Sequence, residues 1–189
     1  MLKKELRTSF RAKRDALTYT EQIRLDDLML IQFQTIDLPF VNTVFTYYPV
    51  EENKEINSFL FTDYLHFRNP HLRICYPKMH PKQTAMDAII CIADTPFENN
   101  AVGIPEPLAK EVADPEEIDL VIVPLMAFDL HGIRVGYGKG YYDRYLKNCR
   151  EDCIKVGLSY FEPVERIDDS NEYDIPLNFC ITPQQVYVF

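Results

Sequence analysis

Residues 120–123 read Leu-Val-Ile-Val, four apolar side chains in a row closed by Pro124. Successive side chains of a strand face opposite ways, so a run that is apolar throughout must be covered on both faces. That pattern predicts a central strand of a parallel sheet with helices above and below it. The flanking sequence agrees. Residues 3–16 are good helix formers, with Leu2, Leu6 and Phe10 at a helical interval. Thr18 or Thr20 is placed to cap a second helix running through Ile23, Leu28, Ile31 and Phe33. Residues 41–48 are β-branched and aromatic, a strand stopped by Pro49. A helical pattern then spans 55–67 and ends near Asn69-Pro70. Short strands are expected at 73–76 and 86–92, with a proline-rich connector over 95–107. A helix over 141–148 and a late strand over 155–160 complete the series. Strands separated by helices predict a three-layer α/β/α domain with a mainly parallel central sheet, covering residues 1–189 as one unit.

Charge and cysteine usage restrict the setting. The formal net charge is −9. Residues 1–24 carry seven Lys or Arg against three acids, a local balance of +4, which leaves −13 elsewhere. An acidic body argues against nucleic-acid binding over a broad face, whereas a basic first helix suits a small polyanion such as a nucleotide phosphate. The simpler reading of that helix is a solvated charged face. No apolar run of about 18 residues is present, so no membrane span is expected. Residues 1–13 are basic and amphipathic without a continuous apolar core, unlike a secretory signal. Five scattered cysteines, an odd number, read as reduced thiols of a cytoplasmic protein. Cys149 and Cys153 are four apart, but no nearby His or third Cys completes a zinc pattern.

The chemical signal is concentrated just beyond the central strand. Gly136, Gly138 and Gly140 are half of the six glycines in the chain and fall within five positions. Glycines so spaced let the backbone turn several N–H groups toward one point, which suits an anion. A helix starting near Tyr141 adds its positive end, Arg134 and Lys139 add full charges, and Asp143 is placed to hold a divalent cation against phosphates. The bland alternative is a tight turn. The location favours a ligand, because open α/β sheets bind at the carboxyl ends of their strands. The pattern is neither a Walker motif nor a dinucleotide fingerprint.

The stretch AFDLHGIRVGYGKGYYDRYL, residues 127–146, resembles the 5-formyltetrahydrofolate cyclo-ligase family. So, more weakly, do KKELR from Lys3, EENKEI from Glu51, GIPEP from Gly103 and NEYD from Asn171. The resemblance implies an architecture like that of NagB, RpiA and the CoA transferases. It also implies an ATP-dependent conversion of 5-formyltetrahydrofolate to 5,10-methenyltetrahydrofolate with Mg2+, through a phosphorylated formyl group. It assigns ATP contacts to Lys3, Lys4, Arg7 and the stretch Arg134, Gly136, Tyr137, Gly138, Lys139, Gly140, Tyr141 and Tyr142. Folate contacts fall on Val50, Glu55 and Glu106, and again on Tyr137, Gly138, Lys139, Gly140 and Tyr141. Asp143 and Asp174 become the metal ligands, and Arg134, Lys139 and Tyr142 the catalytic groups. A monomer acting on 5-formyltetrahydrofolate, with or without a polyglutamate tail, is implied, with no nucleic-acid or membrane partner.

Each assignment has a plainer counterpart. Glu55 suits a helix N-terminus, Glu106 a solvated connector, Asp174 a loop, and Tyr141 and Tyr142 the packing of a first helical turn. This chain has no tryptophan, and Ala101-Val102 stand where some relatives carry one ahead of the GIPEP-like segment. Two other function classes are compatible with such a sheet. One is a non-catalytic folate or nucleotide sensor that keeps the pocket. The other is a sugar-phosphate isomerase or CoA transferase, which leaves Lys3, Arg7 and the glycine loop without a use. Four dispersed histidines and the lack of a G-x-S-x-G elbow set aside a zinc enzyme and a serine hydrolase.

Overall fold

The computed structural model describes residues 1–189. The chain opens with two helices, α1 (Lys3–Asp15) and α2 (Tyr19–Phe33), before strand β1 (Thr43–Phe45). Helix α3 (Ser58–Arg68) leads into β2 (Arg73–His80) and β3 (Ala85–Cys91). Short strands β4 (Phe97–Asn99), β5 (Pro105–Pro107) and β6 (Val112–Ala113) precede the central β7 (Leu120–Val123). The hairpin β8 (Ala127–Phe128) and β9 (Arg134–Val135) is followed by α4 (Tyr141–Leu146), β10 (Ile154–Leu158), β11 (Phe179–Ile181) and β12 (Val186–Val188).

Eight strands form one sheet in the order β12-β11-β10-β7-β1-β2-β3-β6. The five from β11 to β2 are parallel, while β12, β3 and β6 are antiparallel additions at the two edges. The predicted period of two holds in the centre. Val44, Leu120 and Ile122 face one side, where Met29 and Phe33 of α2 and Phe61 and Leu65 of α3 cover them. Phe45, Val121 and Val123 face the other, against Tyr145 and Leu146 of α4. The second outer layer is thinner than expected, a six-residue helix supplemented by loops. No helix is long and apolar enough to cross a membrane.

The element boundaries have local causes. Thr18, rather than Thr20, caps α2: its Oγ1 accepts from the Glu21 amide at 3.2 Å, and Glu21 Oε2 accepts from the Thr18 amide at 2.8 Å. The first strand is three residues, not the eight of 41–48, because its neighbour β7 supplies partners only for Val44 and Phe45. Pro77 does not end β2. The pairing of β1 with β2 stops at Cys75, so Pro77 lies where one side of the strand is free of a ladder. The segment 95–107 is a β4–β5 hairpin rather than a plain connector.

The topology creates the crevice. From β1 the chain crosses to β2 on one side, and β7 is laid down on the other, so the order reverses at β1. The loops leaving β1 and β7 therefore diverge from adjacent strand ends, where parallel sheets bind ligands.

Behind this crevice lies a buried acid. Asp26 of α2 is 7% exposed, and its Oδ1 accepts from the Tyr160 hydroxyl at 2.8 Å. Burial lifts its carboxyl to about 6, against the opposing hydrogen bond. The folded chain thus holds a proton that the unfolded chain releases at lower pH, so this group's contribution to stability falls as pH rises through that window. Asp26→Asn keeps the acceptor for Tyr160 without the charge. Denaturant unfolding at pH 7.5 is expected to show a gain of about 1–3 kcal/mol, at 1.36 kcal/mol per pKa unit. The gain should vanish at pH 3.5, and an equal gain at both pH values would contradict the argument.

Candidate active site

The segment after β7 is folded around a buried carboxylate. Asp129 is 1% exposed, and its Oδ1 accepts from the amides of His131 and Ile133 at 2.9 and 3.0 Å. Its Oδ2 accepts from the Ile167 amide at 3.0 Å. This Asx turn reverses the chain between β8 and β9 and carries Arg134 inward.

Arg134 is buried. Its Nη2 donates to Asp143 Oδ1 at 2.6 Å and its Nη1 to the Ile175 carbonyl. Burial pulls its pKa down, and the Asp143 and Asp174 charges oppose that pull. The Ile175 amide donates to the same Asp143 oxygen at 3.1 Å. One residue earlier, Asp174 takes the Lys3 ammonium on both oxygens, at 2.7 and 2.6 Å. The structure therefore brings the two sequence-distant carboxylates to one place, each facing a cation.

The glycine loop lies beside them. Arg7 Nε donates to the Gly136 carbonyl at 2.8 Å. Its guanidinium packs so close to Gly138 that a Cβ there would lie 3.2 Å from Arg7 Cζ. Gly138 has φ +90° and Gly140 φ +71°, the left-handed region that favours glycine. The amides of residues 136–140 donate to no protein acceptor, and the Lys139 ammonium is exposed and unpartnered. Five successive free N–H groups with cations on two sides offer the donors that an anion cradle needs. Helix α4 adds little to it, being six residues long.

A second cluster sits at the end of β1. The turn Glu51–Asn53 is closed by Lys54 at φ 48°. The Lys54 ammonium donates to the carbonyls of Asp15 and Leu17, both at 2.6 Å, tying this loop to the end of α1. Glu55 Oε2 accepts from the Val50 amide at 2.9 Å, and Oε1 accepts from the Tyr137 hydroxyl. Burial raises the Glu55 carboxyl above its usual range, against hydrogen bonds from Tyr137 and Val50 and the charges of Arg14 and Arg11. Tyr137 belongs to the glycine loop, so a single side chain joins the anion cradle to this acid.

The remaining expectations divide. Tyr142 stacks on Phe45 with centroids 5.8 Å apart and planes 20° from parallel, and its buried hydroxyl has no partner. Tyr141 is half-buried against the same core. Lys4 is exposed and turned about 100° around α1 from Lys3, with no contact to the cradle. Glu106 shares no hydrogen bond with the Glu55 cluster: its Oε1 accepts from the Met79 amide at 3.0 Å and Asn100 Nδ2 at 2.8 Å, fastening the β4–β5 hairpin to β2. Arg14 was not anticipated. It is 6% exposed and donates to the Tyr137 hydroxyl at 3.2 Å and the Leu125 carbonyl at 2.8 Å. The signal was present in the spacing of Lys3, Arg7 and Arg14, which share one helical stripe.

Magnesium asks for one or two carboxylates with phosphate oxygens completing its shell. Asp143 fits that demand, since its Oδ1 is engaged by Arg134 and Ile175 while its Oδ2 has no protein donor. Asp174 is occupied on both oxygens by Lys3, so it becomes a ligand only when that ammonium turns to another anion. No group of three or more His, Cys, Asp or Glu side chains is placed to hold a metal without help from a ligand.

Sheet, switch point and glycine loop define an α/β protein that sets a run of free amides beside a crevice holding one half-buried carboxylate, Glu55. A sequence model of the 5-formyltetrahydrofolate cyclo-ligase family matches residues 1–183, and the chain belongs to that family. The 5-formyltetrahydrofolate cyclo-ligase of Mycoplasma pneumoniae is 29% identical over 188 residues, 97% of this chain and 100% of that protein. That of Haemophilus influenzae is 40% identical over 90 residues, 46% of this chain and 48% of its own length. Among solved structures, the 5,10-methenyltetrahydrofolate synthetase of Aquifex aeolicus superposes with a TM-score of 0.80 at 31% identity. That match covers 100% of this chain and 93% of the other.

The cradle makes a contrast between neighbours. Gly136 has open space where a Cβ would go, whereas Gly138 has both a positive φ and the Arg7 side chain in the way. Gly136→Ala should leave nucleotide affinity within about twofold. Gly138→Ala, strained by roughly 1–2 kcal/mol, should weaken it about tenfold in a titration with a non-hydrolysable ATP analogue. Equal effects at the two positions would contradict this geometry.

Proposed function

We propose that the chain carries out the reaction for which its family is named, closing 5-formyltetrahydrofolate to 5,10-methenyltetrahydrofolate as ATP becomes ADP and phosphate. The observation that carries this reading is the reach of Tyr137 from the phosphate-type cradle to the Glu55 carboxylate. Two ligands bound there would meet end to end. The chemistry needs such a meeting. A formamide carbon is a poor electrophile and its oxygen a poor leaving group. Transfer of the terminal phosphoryl group to that oxygen gives an imidoyl phosphate; the second folate nitrogen attacks the carbon and gives up its N–H proton, and the C–O bond breaks as phosphate departs.

In this mechanism the protein contributes positioning and electrostatics. The free amides of residues 136–140, with Lys3, Arg7 and Lys139, hold the triphosphate. Arg134 faces the transferred group and offsets the charge that gathers on it. Glu55 and the Val50 backbone receive the folate ring, with Glu55 accepting from paired ring N–H groups. Tyr141 and Tyr142 wall the space between the two ligands. Asp143, with Asp174, would hold Mg2+, which supplies charge neutralisation on the phosphate oxygens when bound. Lys4 and Glu106, outside the cradle and the Glu55 cluster, act at most through long-range charge and hairpin placement. The chain is read as a single-domain cytoplasmic monomer.

Mixing protein, ATP, Mg2+ and 5-formyltetrahydrofolate should produce the methenyl absorbance. Binding of both ligands with no absorbance would identify a sensor, and turnover of a sugar phosphate without nucleotide an isomerase. Lys3→Ala and Arg7→Ala should each raise the KM for ATP about tenfold, the factor for one charge-assisted hydrogen bond of ~1.5 kcal/mol, and leave the folate KM within twofold. Asp143→Asn should lower kcat about a hundredfold and shift the Mg2+ titration to higher concentration. An unmoved Mg2+ curve would remove Asp143 from the metal shell.

A further inference from the structure

We propose that Arg14 is a positioning residue for the folate-reading carboxylate, acting through Tyr137 to keep both Glu55 oxygens available as acceptors. The inference rests on the cyclo-ligase reading and extends it to a residue with no assigned role. A guanidinium only donates. Because Arg14 Nη1 donates to the Tyr137 oxygen at 3.2 Å, the single phenolic proton is left for Glu55 Oε1. The order of donation is thereby fixed: Arg14 to Tyr137, Tyr137 to Glu55. The Val50 amide serves Oε2 in the same way at 2.9 Å. Each carboxylate oxygen then has one protein donor and one free lone pair, and the plane of the group is set before a ligand arrives. A ring presenting two parallel N–H groups needs that arrangement, and preorganising it lowers the cost of binding.

Arg14 has no direct route to substrate. It is 6% exposed and anchored behind the crevice by the Leu125 carbonyl at 2.8 Å. The gap among Arg14, Tyr47, Glu55, Leu125 and Tyr137 measures about 10 Å³, room for one water. Its influence therefore passes through the phenol and through charge. The groups facing Glu55 are Tyr137 of the glycine loop, Tyr142 of α4, Tyr47 beyond β1, and Arg14 and Arg11 of α1. Lys54, next in sequence, spends its ammonium on Asp15 and Leu17. Burial drives Glu55 toward its protonated form, in which one oxygen becomes a donor and the double acceptor is lost. Arg11 is exposed, so Arg14 is the shielded cation that opposes this change.

The test is the pH dependence of steady-state kinetics for the full chain from pH 5.5 to 8.5. Arg14→Gln should raise the folate KM about tenfold at pH 6 and about threefold at pH 8, with kcat and the ATP KM within twofold of wild type. Arg14→Lys, which keeps a charge and a donor, should recover most of the loss at pH 8. Tyr137→Phe should give the same tilt of folate KM against pH, and it decides the matter should Arg14→Gln not fold. A folate KM raised equally at every pH, left unchanged, or tracked by an equal fall in kcat would overturn the role. Wild-type chain that does not turn over folate would overturn the cyclo-ligase reading itself. Wild-type turnover with flat variant profiles would overturn the Arg14 proposal alone.

Discussion

The structure turns on the seating of α1 against the loop that leaves the central strand. That helix pairs with no strand. Leu6 and Phe10 hold it to Ala127, Val135 and Ile167 in a small apolar cluster of their own, and burying two such side chains is worth about 1.5–3 kcal/mol each. The cations on the next stripe of the same helix are thereby delivered to the loop: Lys3 to Asp174, Arg7 to Gly136, Arg14 to Leu125 and Tyr137. The apolar side decides where the helix lies, and the charged side makes that place chemically useful. Contacts spanning more than 100 residues of sequence hold this region together, so the anion cradle exists only in the completed fold.

An acidic protein gains a cationic cradle in this way without a broad basic face. Arg134 is buried deeply enough that its charge would be costly alone, and Asp143 offsets it at 2.6 Å. A buried pair of this kind is weak evidence for net stability, since desolvation consumes most of the attraction. Its worth is geometric: it holds Arg134 and Asp143 in one orientation, with the Ile175 backbone bound to both. The same holds for Lys3 and Asp174, each 14% exposed.

Much of this was legible from residue patterns, and the failures have physical causes. The run 120–123 named the central strand because apolar burial on both faces leaves no other solution, and the loop after it was found by its glycines. The strand at 41–48 was too long because sequence shows propensity but not where the neighbouring strand ends. The strand expected at 73–76 runs on past Pro77 to His80 because β1 has already left its side, which nothing in the sequence says. Asp129 was passed over since a buried Asx turn looks like any loop acid. Lys4 was grouped with Lys3 by the family's motif, although adjacent helical residues face different ways. For Glu106 no residue pattern signals the structural use that Met79 and Asn100 make of its Oε1.

Charge counting in the cradle connects the metal to the nucleotide in the proposed reaction. Lys3, Arg7, Arg134 and Lys139 bring four positive charges and Asp143 and Asp174 two negative ones, an excess of two. A triphosphate carries roughly four negative charges, so nucleotide alone would leave the site negative and press against both carboxylates. A divalent cation bound with it would restore neutrality. It would also give Asp174 a new partner and leave Lys3 to pair with the phosphates. In that reading the Lys3–Asp174 pair is the one a magnesium–nucleotide complex would replace, while Asp143 would keep Arg134 on Oδ1 and offer Oδ2. Two acids inside a cationic cradle would thus serve the proposed metal–nucleotide complex in a chain whose net charge is −9.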